Sequence, residues 1–129
     1  MKTHKDLDVY VKAIDFVTEI YKATSTFPKS ELYGLTNQIR RAAVSIPSNI
    51  AEGSARQGKK EFKNFLSIAQ GSLSELDTQM ELALLLDYVP PDKFHDFDNL
   101  MLRIDKMLTG LIRSLSRNTT SGESARRKA

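Results

Sequence analysis

Four stretches of this chain place apolar residues at alternating steps of three and four, and polar or proline-bearing connections separate them. That spacing returns a side chain to one face of an α-helix, so each stretch reads as an amphipathic helix. In the first, Leu7, Tyr10, Ile14, Val17 and Tyr21 run beside Val9, Ala13, Phe16, Ile20 and Ala23. The pair of lines predicts a helix from Asp6 or Asp8, either acceptable as N-cap, to Thr24. Pro28 suits the start of a second helix, which carries Leu32, Leu35, Ile39, Ala42 and Ile46. The third, from Lys59 to Tyr88, carries Phe62, Leu66, Ala69, Leu73, Leu76, Met80 and Ala83. At 1.5 Å per residue it would be roughly 45 Å long. Pro90 and Pro91 end it, and Pro91 or Asp92 opens a fourth with Phe94, Phe97, Met101, Ile104, Leu108, Leu111 and Leu115. No segment alternates as a strand with hairpin signals, and no repeat recurs at a fixed period. The expected architecture is all-α: an antiparallel up-down-up-down four-helix bundle.

The second helix contains Pro47, which lacks a backbone donor and crowds the carbonyl of Ala43. Ile50 stands one turn beyond Ile46, so the apolar face continues and a kinked helix is expected rather than a break. Gly53 would end it as a left-handed C-cap. Ala42, Ala43, Ser45, Ser48 and Ala51 around the proline are small enough to admit another helix closely. Ser45, Pro47, Ser48, Asn49 and Glu52 are therefore candidates for a packing or oligomer surface. Asn49 and Glu52 are expected to satisfy backbone groups that the proline frees.

The 129 residues suit one domain with a single core, taken as residues 1–116. Residues 117–129 are polar and apolar-poor, and read as a disordered basic tail. Absence of cysteine excludes a disulfide scaffold, a thiolate metal site and a cysteine nucleophile. The start lacks a signal-peptide core, and the longest apolar run, Leu82 to Leu86, is far too short to cross a bilayer. A soluble, cytoplasmic protein without a membrane partner is expected. The net charge is +3, and the tail alone accounts for it through Arg117, Arg126, Arg127 and Lys128 against Glu123. Within the neutral body the signs separate. Arg40, Arg41, Arg56, Lys59, Lys60 and Lys63 cluster against Glu52 and Glu61. Glu75, Asp77, Glu81, Asp87, Asp92, Asp96 and Asp98 cluster against Lys93. Such regions are either solvated faces, a surface for nucleic acid, or a complementary pair through which copies associate.

Enzymatic patterns fail on inspection. Gly53 to Lys59 matches G-x-x-x-x-G-K, but Lys60 replaces the magnesium-binding hydroxyl and a helix precedes the loop instead of a strand. The two glycines read as shaping a helix-to-helix turn, whose following helix N-terminus can attract phosphate. The histidines are His4, in the expected N-terminal fray, and His95, so no paired Glu-x-x-His metal site can form. No nucleophile is placed beside a base. No catalytic residue, cofactor or metal is assigned.

Leu35 to Gly53, LTNQIRRAAVSIPSNIAEG, resembles the signature of the 23S rRNA intervening-sequence protein family. Glu61-Phe62 and the segment FLSIAQGSLSEL at 65–76 fit the same family. The resemblance extends over about residues 6–115, and the matching positions include Gln38, Arg40, Arg41, Ser45, Asn49, Glu52 and Gly53. It implies a four-helix bundle assembling into a homopentamer. It also implies kinship with the accessory variability protein of diversity-generating retroelements, a basic pentamer that binds nucleic acid and a reverse transcriptase. The expected function is a non-enzymatic homo-oligomeric scaffold that contacts RNA, DNA or a nucleic-acid enzyme through Arg40, Arg41, Arg56, Lys59, Lys60 and Lys63. The alternative is a module that binds only a protein partner.

Overall fold

The structure, a computed structural model, describes residues 3–117 in full and, for 118–128, no more than their place in the last helix. Helices α1 (Asp8–Thr24), α2 (Leu35–Ser54), α3 (Lys59–Leu85) and α4 (Pro91–Lys128) follow one another, with 3-10 turns at His4–Asp6 and Lys29–Glu31. No strand occurs among the described residues. Packing is most extensive between α2 and α3, then between α3 and α4 and between α1 and α2; α1 closes the ring against α4. Short connections make successive helices antiparallel, which is the expected bundle. Arg117 apart, the tail expected at 117–129 lies outside the fully described residues.

The core follows the three-four spacing. Val9, Ala13, Phe16 and Ile20 of α1 meet Ile39, Ala43, Ile46 and Ile50 of α2. Leu66, Ala69, Leu76 and Met80 of α3 and Phe97, Met101, Ile104 and Leu108 of α4 complete it. Of the two apolar lines read on α1, the second is buried but for Ala23, which is partly so; in the first, Ile14 and Tyr21 remain exposed. Phe27 and Val89, in the connections, close one end of the core.

Local departures have physical reasons. Neither Asp6 nor Asp8 caps α1: its N-cap is Leu7, and no side chain caps it. Asp6 instead joins Thr3 in a capping box around the first 3-10 turn, accepting from the Thr3 N–H at 2.9 Å. That turn also removes His4 from the expected fray, with its ring edge-on to Tyr10 at 4.8 Å. The second helix begins later than Pro28. A 3-10 turn and Gly34 intervene, so Leu32 lies before α2 and is exposed rather than in the core. Helix α2 runs through buried Pro47 without a break, but Gly53 is not its left-handed cap. Gly53 sits inside the last turn with no positive φ, and the C-cap is Ala55. Its lack of a side chain serves close approach: a Cβ there would fall 2.7 Å from Phe65 Cβ and 3.3 Å from the Phe62 carbonyl oxygen on α3. The left-handed position belongs to Asp87 (φ 63°), where α3 stops. There the Tyr88 N–H reaches back to the Ala83 carbonyl at 2.8 Å and the Asp87 N–H to Leu84 at 3.0 Å, a Schellman ending.

Candidate functional site

The six basic residues proposed from the sequence fall into two groups. Arg56, Lys59 and Lys60 are exposed around the connection at residues 55–58, where α2 turns into α3. The α3 N-cap, Gly58, provides no side-chain cap, so the first-turn N–H groups stand open between these cations. Arg56 is partly engaged: its Nη2 donates to Glu52 Oε1 at 2.8 Å, and its guanidinium lies 5.2 Å from the centre of the Phe65 ring. Lys63, one turn along, is half-buried and donates to Ser116 Oγ at 3.3 Å, which draws it toward α4.

Arg40 and Arg41 lie back along α2, roughly 20 Å from the turn at 1.5 Å per residue. They are not equivalent. Arg40 Nε donates to Thr24 Oγ1 at 2.9 Å and its Nη2 to the Tyr21 carbonyl at 3.4 Å. With the guanidinium 4.6 Å from the Tyr21 ring centre, it ties α2 to the end of α1. A cation at this position also suits the negative end of the α1 dipole. Arg41 is exposed and has no carboxylate partner among the described residues.

The proposed packing surface is divided as well. Ser45 and Asn49 are half-buried against α3: the Ser45 and Ser72 hydroxyls are 2.7 Å apart, and Asn49 Nδ2 donates to Ser45 Oγ at 2.9 Å. The same amide donates to the Ser45 carbonyl at 2.8 Å, not to that of Ala43, which Pro47 leaves without its usual donor. Glu52 bonds to Arg56 instead of the backbone. Ser48 and Glu52 remain exposed, while Pro47 is buried. Much of the room made by small residues on α2 is thus taken by α3 of the same chain.

A groove of about 630 Å³ at the α1–α2 corner escaped the sequence reading. Tyr21, Leu32, Tyr33, Arg40, Arg41 and Val44 line it, with Thr36 on its lining. Tyr33 is 92% exposed, and the Thr36 hydroxyl is buried without a partner. The available signal was Tyr33 itself, an aromatic outside every three-four series. Leu32 and Tyr21 had been absorbed into core faces by their spacing.

The model of the 23S rRNA-intervening sequence proteins matches residues 5–110. The chain belongs to this family. A member-like crystal structure, of a protein with unknown function from the S23 ribosomal protein family of Bacteroides thetaiotaomicron, is 27% identical. It superposes with a TM-score of 0.73, covering 81% of this chain and 97% of that one. No curated protein matches the chain. The family match spans Arg40, Arg41 and the turn at Arg56, and stops before the basic tail. No helix among the described residues is long and apolar enough to cross a membrane.

Proposed function

We propose that this chain is a non-enzymatic, homo-oligomeric scaffold of the cytoplasm, a pentamer by its resemblance, that holds nucleic acid or a nucleic-acid enzyme. The observation that carries this reading is the exposed group Arg56, Lys59 and Lys60 beside the uncapped start of α3. Point charges and open N–H groups suit phosphate oxygens without regard to sequence. Repetition in an oligomer would place several such groups on one particle, so that weak individual contacts add as avidity.

Fluorescence anisotropy with structured RNA and single-stranded DNA across a salt series tests it. Three proteins are compared: the native chain, Arg56→Gln/Lys59→Gln/Lys60→Gln, and Arg126→Gln/Arg127→Gln/Lys128→Gln. Native affinity should fall steeply with salt, and loss of three body cations should flatten the single-strand slope by up to about 2. Binding lost only with the tail cations would reduce the interaction to a generic electrostatic arm. Absence of binding by the native chain would leave the second reading, a module for a protein partner, which the exposed Tyr33 groove favours.

A further inference from the structure

Two grooves on this bundle match each other in charge. Among the described residues, the α1–α2 groove is lined by Arg40 and Arg41 and by no carboxylate, with Tyr21, Leu32, Tyr33 and Val44 as its apolar part. A smaller groove of about 170 Å³ between α3 and α4 is lined, among the described residues, by Asp77, Asp98 and Asp105 and by no cation. Leu102, 54% exposed, is an apolar residue of its lining. Asp105 accepts from Gln70 at 3.2 Å, but neither it, Asp77 nor Asp98 forms an ion pair among the described residues.

Their placement matters as much as their charge. Helix α1 packs on α2 and α4, and α3 packs on the same two, so the α1–α2 corner and the α3–α4 corner lie across the bundle from each other. They also lie at one level along its axis. The Ser45–Ser72 bond sets the Arg41 turn of α2 beside the Leu73–Asp77 turn of α3. The bonds from Gln70 to Asp105 and Thr109 set α4 in register with that stretch of α3.

We infer that the arginine-lined α1–α2 groove receives the acidic α3–α4 face of a second copy of this chain. The inference rests on the homo-oligomer reading above and supplies its interface. Different surfaces meet in such a contact, so it is heterologous and every copy keeps one free surface for the next. Equal height keeps the axial shift per copy small, and a rotation between successive copies at the contact decides whether the chain of copies closes into a ring. Arg41 gains carboxylate partners, and the Tyr33 and Leu102 side chains leave water. Opposed charge at the rim fixes which faces meet, and burial of the aromatic and aliphatic side chains supplies the attraction.

Light scattering after gel filtration of the full chain tests this. The groove variant is Tyr33→Glu/Arg41→Glu and the acidic-face variant Asp77→Arg/Asp98→Arg; circular dichroism melts confirm that each folds. Each variant alone should be a monomer. Mixed, they should associate in equal amounts, because each still offers one native surface. Self-association of the acidic-face variant alone would mean that groove meets groove, and would overturn the inference. So would native mass in both variants with dissociation only in Ser48→Arg, an outcome that keeps the oligomer and moves its interface to the Pro47 region. A native chain that is monomeric at every concentration would remove the oligomer reading as well.

Discussion

Asp87 holds a backbone conformation, φ 63°, that a side chain with a Cβ adopts at a cost. It also places a negative charge at the C-terminal end of α3, where the helix dipole disfavours it. Asp87→Gly removes both effects and should stabilise the fold by about 0.5–1 kcal/mol, read as a higher denaturant midpoint at unchanged m-value. Gly53 behaves oppositely. In an ordinary helix interior, Gly→Ala gains about 1 kcal/mol. Here the new methyl would stand 2.7 Å from Phe65 Cβ and 3.0 Å from Phe62 Cδ1, with the Phe62 carbonyl behind them. A backbone carbonyl and a Cβ cannot swing aside, so α2 and α3 must part, and Gly53→Ala should destabilise by about 1–3 kcal/mol in the same measurement. The two substitutions thus test opposite effects of glycine: relief of a left-handed backbone at the end of α3, and loss of the close approach that Gly53 allows between α2 and α3.

Between elements, a few polar contacts set the register that the apolar faces leave loose. Ser45 and Ser72 join α2 to α3, Gln70 joins α3 to Thr109 on α4, and Arg40 joins α2 to α1. A double-mutant cycle of Ser45→Ala and Ser72→Ala should give a coupling of about 0.5–1.5 kcal/mol, the net value of one half-buried hydrogen bond. At the bundle end the Tyr88 hydroxyl donates to Glu31 Oε2 at 2.9 Å, tying the α3–α4 connection to the turn before α2. That bond to a carboxylate, with some desolvation and the Glu31 charge, raises Tyr88 above its ordinary pKa of 10.0. A raised folded pKa contributes stability that is fully present below the unfolded pKa and lost as pH climbs through the folded one. Thermal melts should therefore place Tyr88→Phe below the native chain at neutral pH, with the gap closing above pH 10.0.

For the whole molecule, the association proposed through opposed grooves would link stability to concentration: the native melting temperature should then rise with protein concentration, while that of the groove variant should not. The chain's fold was legible because helical period is a local property. Spacing of Phe16, Ile46, Leu76 and Ile104 was enough to assign four buried faces, and the prolines at 90 and 91 marked a boundary. Arg56, Lys59 and Lys60 were also legible as one exposed group, since a short turn holds near neighbours together. Arg40 was not, because its partners Thr24 and Tyr21 are 16 and 19 residues away. Ser45 looked like part of an outer surface until Ser72 met it from 27 residues on. Leu32 and Tyr21 kept the spacing of core residues, yet Leu32 lies before α2 and both line a groove with Tyr33 and Arg41. Periodicity along the chain therefore accounts for the number, order and inner faces of the helices. Which outer residues share a groove, which cation is already held by its own chain, and which glycine admits a neighbour depend on how the helices are set against each other. That setting comes from contacts between distant residues, which no local pattern encodes.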